Sequence, residues 1–284
     1  MIQLKIGIVL IFAACCSLSK AAPAEIVQFH SAAVPPTPLQ IRLARERGTE
    51  AHATPGDLIS AGLYRPAGEG PFPGIIALHG CAGRPGPASE QAMAARFTEH
   101  GYLVVAVDSF GPRGIREQCN GVTAAADRMS DAYGALDWLT SQTFAVPSRI
   151  ALVGFSQGAD IGLSIASAGE GAKSAGTATF AVAILYYPYC RPGGAVVKIP
   201  TLVLVGEQDD WASAKECRVM MALRNGTGAT ERLIVYPGAQ HAFNFVGLRD
   251  HPQTLYGYHL AYDAGADHAA SEAAIAFLAE WMAR

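Results

Sequence analysis

The sequence predicts an α/β fold, a mostly parallel central sheet with helices on both faces, and three observations carry that expectation. Short apolar runs alternate with helix-compatible segments along most of the chain, the pattern of parallel strands joined by crossover helices. Gly154-Phe155-Ser156-Gln157-Gly158 stands between a strand-like run, Arg149 to Val153, and a small-residue helical run, Ala159 to Ala168. A G-x-S-x-G in that setting is a nucleophile elbow, a turn so sharp that the serine is held exposed at its tip. Its glycines are needed because a Cβ there meets the neighbouring strand or helix. Finally, a carboxylate cluster and a histidine each follow a later strand. Thr201 to Gly206 runs into Glu207-Gln208-Asp209-Asp210, and Arg232 to Tyr236 runs into Pro237-Gly238-Ala239-Gln240-His241. Groups just past parallel strands gather at one edge of the sheet, and serine, acid, histidine is the chain order of a triad on this architecture.

Taken in order, Glu25 to His30 and Leu39 to Arg45 read as strands, separated by Pro35-Pro36. Leu58 to Tyr64 alternates as a strand and leads into a Pro/Gly turn through Arg65 to Pro73. Gly74 to Leu78 and Tyr102 to Val107 are apolar enough for central strands buried on both faces. Ser89 to His100 between them has helical spacing. Thr123 to Ser141 is a longer helix with Ala126, Met129, Tyr133, Leu136 and Leu139 on one side. Phe180 to Tyr186 is the strand after the elbow helix; Ser213 to Asn225 and Ala269 to Met282 complete the pattern as helices. Asp250 to His268 carries His251, His259, Asp263, Asp267 and His268 without a metal-ligand spacing, and reads as a solvated helix or cap.

Composition narrows the function. Of 284 residues, 50% are hydrophobic and 16% charged, enough for one sizeable core without a second domain. A net charge of -3 and no Lys/Arg run exclude an electrostatic case for nucleic acid. No G-x-G-x-x-G follows a strand, and Gly171-Ala172-Lys173-Ser174 lacks the Gly-Lys pair of a phosphate loop, so no nucleotide, cofactor or metal is expected. Residues 1–22 read as an export signal: Lys5, the apolar Ile6 to Ala14, and a small-x-small site at Ser19-Lys20-Ala21. The apolar stretch is too short for a bilayer span. A second reading is a lipoprotein signal ending at Cys15, against which stands Phe12 where leucine is usual.

The motifs assign roles by position. Two backbone N–H groups normally form an oxyanion hole, here those of Gln157 and Cys81. His79 precedes the serine and reads as a structural histidine rather than the base. Arg113, past another central strand, is a candidate to hold a substrate carboxylate; the competing role is an ion pair that pins its loop. Trp211 and Phe243, beside the acid and the histidine, are candidate pocket walls.

Leu78-His79-Gly80-Cys81, Gly154-Phe155-Ser156-Gln157-Gly158, Gly206-Glu207-Gln208-Asp209 and Tyr236-Pro237-Gly238-Ala239-Gln240-His241-Ala242-Phe243 together resemble the dienelactone hydrolase family of α/β-hydrolases. The resemblance runs from about Gly56 to the C-terminus, and residues 23–284 then form a single domain of that fold. It implies that the acid is the third residue after the strand-ending glycine, Asp209, with Asp210 its neighbour. Founding members carry a nucleophilic cysteine and a glutamate beside the oxyanion strand; this chain has Ser156 and His79-Gly80-Cys81. The implied activity is therefore serine-based cleavage of carboxylic esters or lactones, on a small-molecule substrate. Within the fold, a peptidase or acyltransferase is the alternative. A non-catalytic binding protein is disfavoured by chemically competent residues at all three triad positions.

Once the leader is removed four cysteines remain, an even number that favours disulfides in an exported chain. Cys81 and Cys119 follow the adjacent strands ending at Leu78 and Val107; Cys190 and Cys217 follow those ending near Tyr186 and Val205. Pairing within each set, Cys81–Cys119 and Cys190–Cys217, needs the least chain movement.

Overall fold

The computed structural model describes residues 24–120, 127–168, 178–193, 195–224 and 226–283; the expected leader, with Cys15, lies outside the described residues. The strands are β1 (Glu25–His30), β2 (Leu58–Tyr64), β3 (Phe72–Leu78), β4 (Leu103–Asp108), β5 (Ala145–Phe155), β6 (Val182–Tyr186), β7 (Thr201–Gly206), β8 (Glu231–Tyr236) and the short β9 (Gln253–Leu255) and β10 (Tyr258–Leu260). The helices are α1 (Pro38–Glu46), α2 (Pro87–Thr98), α3 (Arg128–Thr140), α4 (Gln157–Ala168), α5 (Ala214–Arg224) and α6 (Ala264–Met282).

Eight strands form one sheet in the order β1-β2-β4-β3-β5-β6-β7-β8, while β9 and β10 make a separate hairpin. β1, β2 and β4 pair antiparallel, and every other neighbour in the large sheet is parallel. Each residue of β6 and β7 is buried, as strands covered by helices on both faces require. β5 lies near the centre, between β3 and β6. The end of β5 that carries Ser156 therefore has the loop of residues 79–81 on one side and the Asp209 and His241 loops on the other. Among the described residues, no helix is long and apolar enough to cross a membrane.

Two segments differ from the sequence reading. Leu39 to Arg45 is not a strand but the body of α1. Thr37 accepts from the Gln40 N–H at 3.2 Å, Gln40 accepts from the Thr37 N–H at 2.7 Å, and Pro38 opens the helix. This reciprocal cap satisfies donors that a strand would leave for a partner. α1 buries no residue, so local capping decides its conformation. Asp250 to His268 is not one helix: it contains the β9–β10 hairpin, then α6, which starts at Ala264 because Asp263 caps it through the Ala266 N–H at 2.9 Å.

Cys81 is bonded to Cys119 and Cys190 to Cys217, with Cα separations of 4.8 and 4.9 Å. Each bridge ties a loop after one strand to the segment following its neighbour, β3 with β4 and β6 with β7. Cys217 lies fully buried in α5, so the second bridge anchors that helix to the loop beyond β6. Replacing Cys190 and Cys217 together by alanine is expected to lower stability by about 2–4 kcal/mol. The measurement is an earlier urea midpoint, with an m-value that rises as the unfolded chain is freed of the cross-link; an unaltered midpoint would contradict the bracing role.

Candidate active site

The elbow is a backbone constraint before it is a chemical one. Ser156 has φ 52, a left-handed conformation that costs a non-glycine residue about 1–3 kcal/mol. The sharp turn drives α4 back against the sheet. A Cβ on Gly154 would lie 2.4 Å from the Gly158 carbonyl oxygen, and one on Gly158 would lie 2.3 Å from that of Leu78. Only glycine fits at either place.

Ser156 Oγ lies 3.0 Å from His241 Nε2, and His241 Nδ1 lies 2.8 Å from Asp209 Oδ2. A carboxylate only accepts, so Nδ1 carries the proton and Nε2 is left to accept from the serine hydroxyl. Asp209 is itself fixed: its Oδ1 accepts from the N–H groups of Trp211 at 2.9 Å and Ala212 at 2.6 Å. Asp210 turns the other way, accepting from the N–H of His259 at 3.0 Å and pairing with its Nδ1 at 2.7 Å on the exposed side of β10. The histidine loop is held by an approach as close as that of the elbow. A Cβ on Gly206 would come 2.3 Å from the Ala239 carbonyl oxygen, and the His241 carbonyl accepts from the Ala261 N–H just past β10.

Two aromatic rings pack against the imidazole. Tyr187 lies 4.6 Å from it and Trp211 5.2 Å, centroid to centroid. Trp211 is backed in turn by Tyr258 of β10, stacked at 4.7 Å. Tyr187 donates from its hydroxyl to Asn244 Oδ1 at 2.8 Å.

A cavity of about 360 Å³ opens beside Ser156 and His241. Its walls are largely apolar, with Met93 from α2 facing Phe245, Leu248, Leu255 and Leu260 from the segment that carries the hairpin. Gly80 and Cys81 line it next to the serine; a Cβ on Gly80 would stand 3.5 Å from that of Ser156. The Gln157 N–H opens α4, where a helix leaves its first donors without an intrahelical acceptor. Two guanidinium groups also reach the cavity. Arg84 is held by the buried Glu90, whose Oε1 accepts from Arg84 Nη2 at 2.6 Å and from the Tyr64 hydroxyl at 2.7 Å. Arg96 is held by Asp267, which accepts from its Nη2 at 2.8 Å and from the Tyr262 hydroxyl at 2.9 Å.

Ser156, Asp209, His241, Cys81, Gln157 and Trp211 are thus gathered at one edge of the sheet. Arg113 and Phe243 are not at the cavity. Arg113 donates to Asp57 at 2.7 Å and to both oxygens of Asp131 at 2.8 Å, because the fully buried Asp131 requires a counter-charge. Phe243 is buried behind the histidine loop among Tyr186, Tyr187 and Tyr236, bracing the wall rather than forming it. His79 is buried; desolvation and the nearby Arg128 push its pKa down to about 3, so it stays neutral. Tyr187, Asn244, Arg84, Arg96 and Arg128 were not singled out by the sequence. An arginine at a helix start, such as Arg128, carries no sign of burial in the residue pattern alone.

The family model described as the dienelactone hydrolase family matches residues 59–282. The chain belongs to the dienelactone hydrolase family. It is a hydrolase with the α/β-hydrolase fold. Human acyl-coenzyme A thioesterase 6 is 33% identical over 109 residues, 38% of this chain but only 24% of that protein. Among solved structures, the dienelactone hydrolase-like promiscuous phosphotriesterase P91 from metagenomic libraries aligns at TM-score 0.62 and 20% identity, covering 79% of this chain and 93% of that one. A thermophilic esterase of Thermogutta terrifontis, with propionate bound, aligns at 0.60 and 18% identity, covering 80% and 91%. Both structural likenesses concern the fold.

The two neighbouring carboxylates should separate cleanly in this hydrolase. Asp209→Asn is expected to lower kcat by about a thousandfold or more, since the imidazole loses its orienting anion. Asp210→Asn should stay within about threefold, its partner being an exposed histidine. Steady-state ester hydrolysis by the two variants decides; a larger loss at Asp210 would reverse the assignment.

Proposed function

We propose that this dienelactone hydrolase family member is a serine hydrolase that forms an acyl-enzyme on Ser156 and cleaves uncharged, apolar carboxylic esters or lactones. The observation that carries the reading is the Ser156–His241–Asp209 chain, 3.0 and 2.8 Å long, ending at an apolar cavity. Ser156 Oγ attacks the carbonyl carbon while His241 Nε2 takes its proton and passes it to the leaving alcohol. Water, deprotonated by the same imidazole, then releases the acid. Asp209 orients the ring and stabilises its cation, and the N–H groups of Cys81 and Gln157 receive the oxyanion.

Charge pairing supports the uncharged acyl group. Both guanidinium groups at the cavity already face a carboxylate, Arg84 with Glu90 and Arg96 with Asp267. A substrate carboxylate would gain no free cation and would lose its hydration among apolar walls. Thermogutta terrifontis esterase 2 holds propionate and is phosphorylated by paraoxon, and the human relative's name adds thioesters as a related acyl class. The two disulfides favour an oxidising compartment, in keeping with an exported chain acting as one domain.

Ser156→Ala is expected to lose at least about a thousandfold in turnover while keeping its melting temperature. Wild-type enzyme should prefer 4-nitrophenyl butyrate over the 4-nitrophenyl hemisuccinate by about tenfold or more in kcat/KM. Near-normal hydrolysis by Ser156→Ala would end the mechanism, and equal use of both esters would end the charge argument.

A further inference from the structure

Arg128, at the start of α3, is only 2% exposed and heads the fully buried side chains by size. A buried cation is costly unless paired. Among the described residues, Arg128 makes no ion pair. The carboxylates that attract it, Asp131 and Asp160, are engaged elsewhere. Asp131 is bound by both terminal nitrogens of Arg113 and by the Ser31 hydroxyl at 2.6 Å; Asp160 accepts from the Tyr189 N–H at 2.6 Å. Burial pushes the Arg128 guanidinium down to about 10, which leaves it cationic at neutral pH.

Its hydrogen bonds go to neutral acceptors on two particular segments. Nη2 donates to the His79 carbonyl at 2.5 Å, two residues before Cys81. Nη1 donates to the side-chain oxygen of Gln157 at 2.9 Å, on the residue after Ser156. The ring of Phe110 covers the guanidinium at 5.1 Å, and the neutral His79 ring adds no countercharge.

We propose that Arg128 is a positioning residue of the oxyanion hole: one guanidinium ties the Cys81 and Gln157 segments together and keeps a positive charge, outside any direct ion pair, behind them. The inference rests on the reading of Ser156 as nucleophile. When Oγ bonds to the carbonyl carbon, its proton moves to His241 Nε2 and the carbonyl π pair moves onto oxygen. Negative charge then arises beside the two donors that Arg128 holds. The ester ground state has no such charge, so the interaction favours the transition state selectively.

The test compares Arg128→Met and Arg128→Lys with wild type on 4-nitrophenyl butyrate. It also measures inhibition by a trifluoromethyl ketone bearing the same propyl group, which becomes an oxyanion when Ser156 adds to it. Direct loss of an oxyanion donor costs about 10²–10³-fold, so this indirect loss is set at about 10- to 100-fold. Arg128→Met should lose that factor in kcat, keep KM within about twofold, and weaken the ketone's Ki by the factor lost from kcat; lysine should restore part of both. A folded Arg128→Met with unchanged kcat and Ki, or a loss confined to KM or to melting temperature, overturns the proposal. If Arg128→Met does not fold, Gln157→Leu keeps the main-chain donor and cuts the tie. It should lose about 3- to 10-fold in both kcat and Ki, and wild-type values there overturn the proposal. A wild type that hydrolyses nothing removes the nucleophile reading and this inference with it, whereas an active wild type with unaffected variants removes this inference alone.

Discussion

The site depends on how closely α4 can approach the ends of β3 and β5. Gly154 and Gly158 allow backbone contacts that any side chain would block, and Ser156 occupies a left-handed conformation between them. That strain persists because its surroundings over-determine it. β5 is held by parallel neighbours on both sides, and the buried face of α4, Ala159, Leu163, Ile165 and Ala166, packs into the same core. The Ser156 N–H is also spent on the Tyr186 carbonyl at the end of β6. A serine hydroxyl thereby projects at the sheet edge without having to choose among rotameric positions of a loop.

From that fixed point, the remaining groups are placed by strand ends. β7 delivers Asp209, β8 delivers His241, and the hairpin return past β10 holds the histidine carbonyl. Around them, most charges are matched within the protein: Arg84 with Glu90, Arg96 with Asp267, Arg113 with Asp131. The cavity is thereby left with largely apolar walls and with both of its guanidinium groups already paired. Arg128, buried and outside any ion pair among the described residues, lies instead against the His79 carbonyl and the Gln157 side chain.

Much of this was legible in the sequence because strand-ending motifs carry both position and chemistry. The elbow pentapeptide, the acid after Gly206 and the histidine after Tyr236 each sit where a strand stops, so their convergence follows from parallel topology. The Leu39 to Arg45 segment was misread because its apolar residues mattered less than a Thr37–Gln40 cap outside it. Of the helix and the cap that Asp250 to His268 offered, the hairpin over the cavity is the second, and strands of three residues are too short to show it by periodicity. Arg113 and Phe243 were near the site in sequence, but burial turned them inward: one answers the buried Asp131, the other fills an aromatic cluster. Arg84 with Glu90 and Arg96 with Asp267 become visible only in three dimensions, as does the spacing of Arg128 between two loops.

The proposed chemistry requires that Ser156 alone be the nucleophile and that His241 activate it. The most direct measurement is peptide mapping by mass spectrometry after brief exposure to a fluorophosphonate. A single adduct is expected on the peptide containing Ser156, with very slow labelling of His241→Ala. An adduct on another residue, or ester turnover that continues undiminished after Ser156 is fully modified, would contradict it.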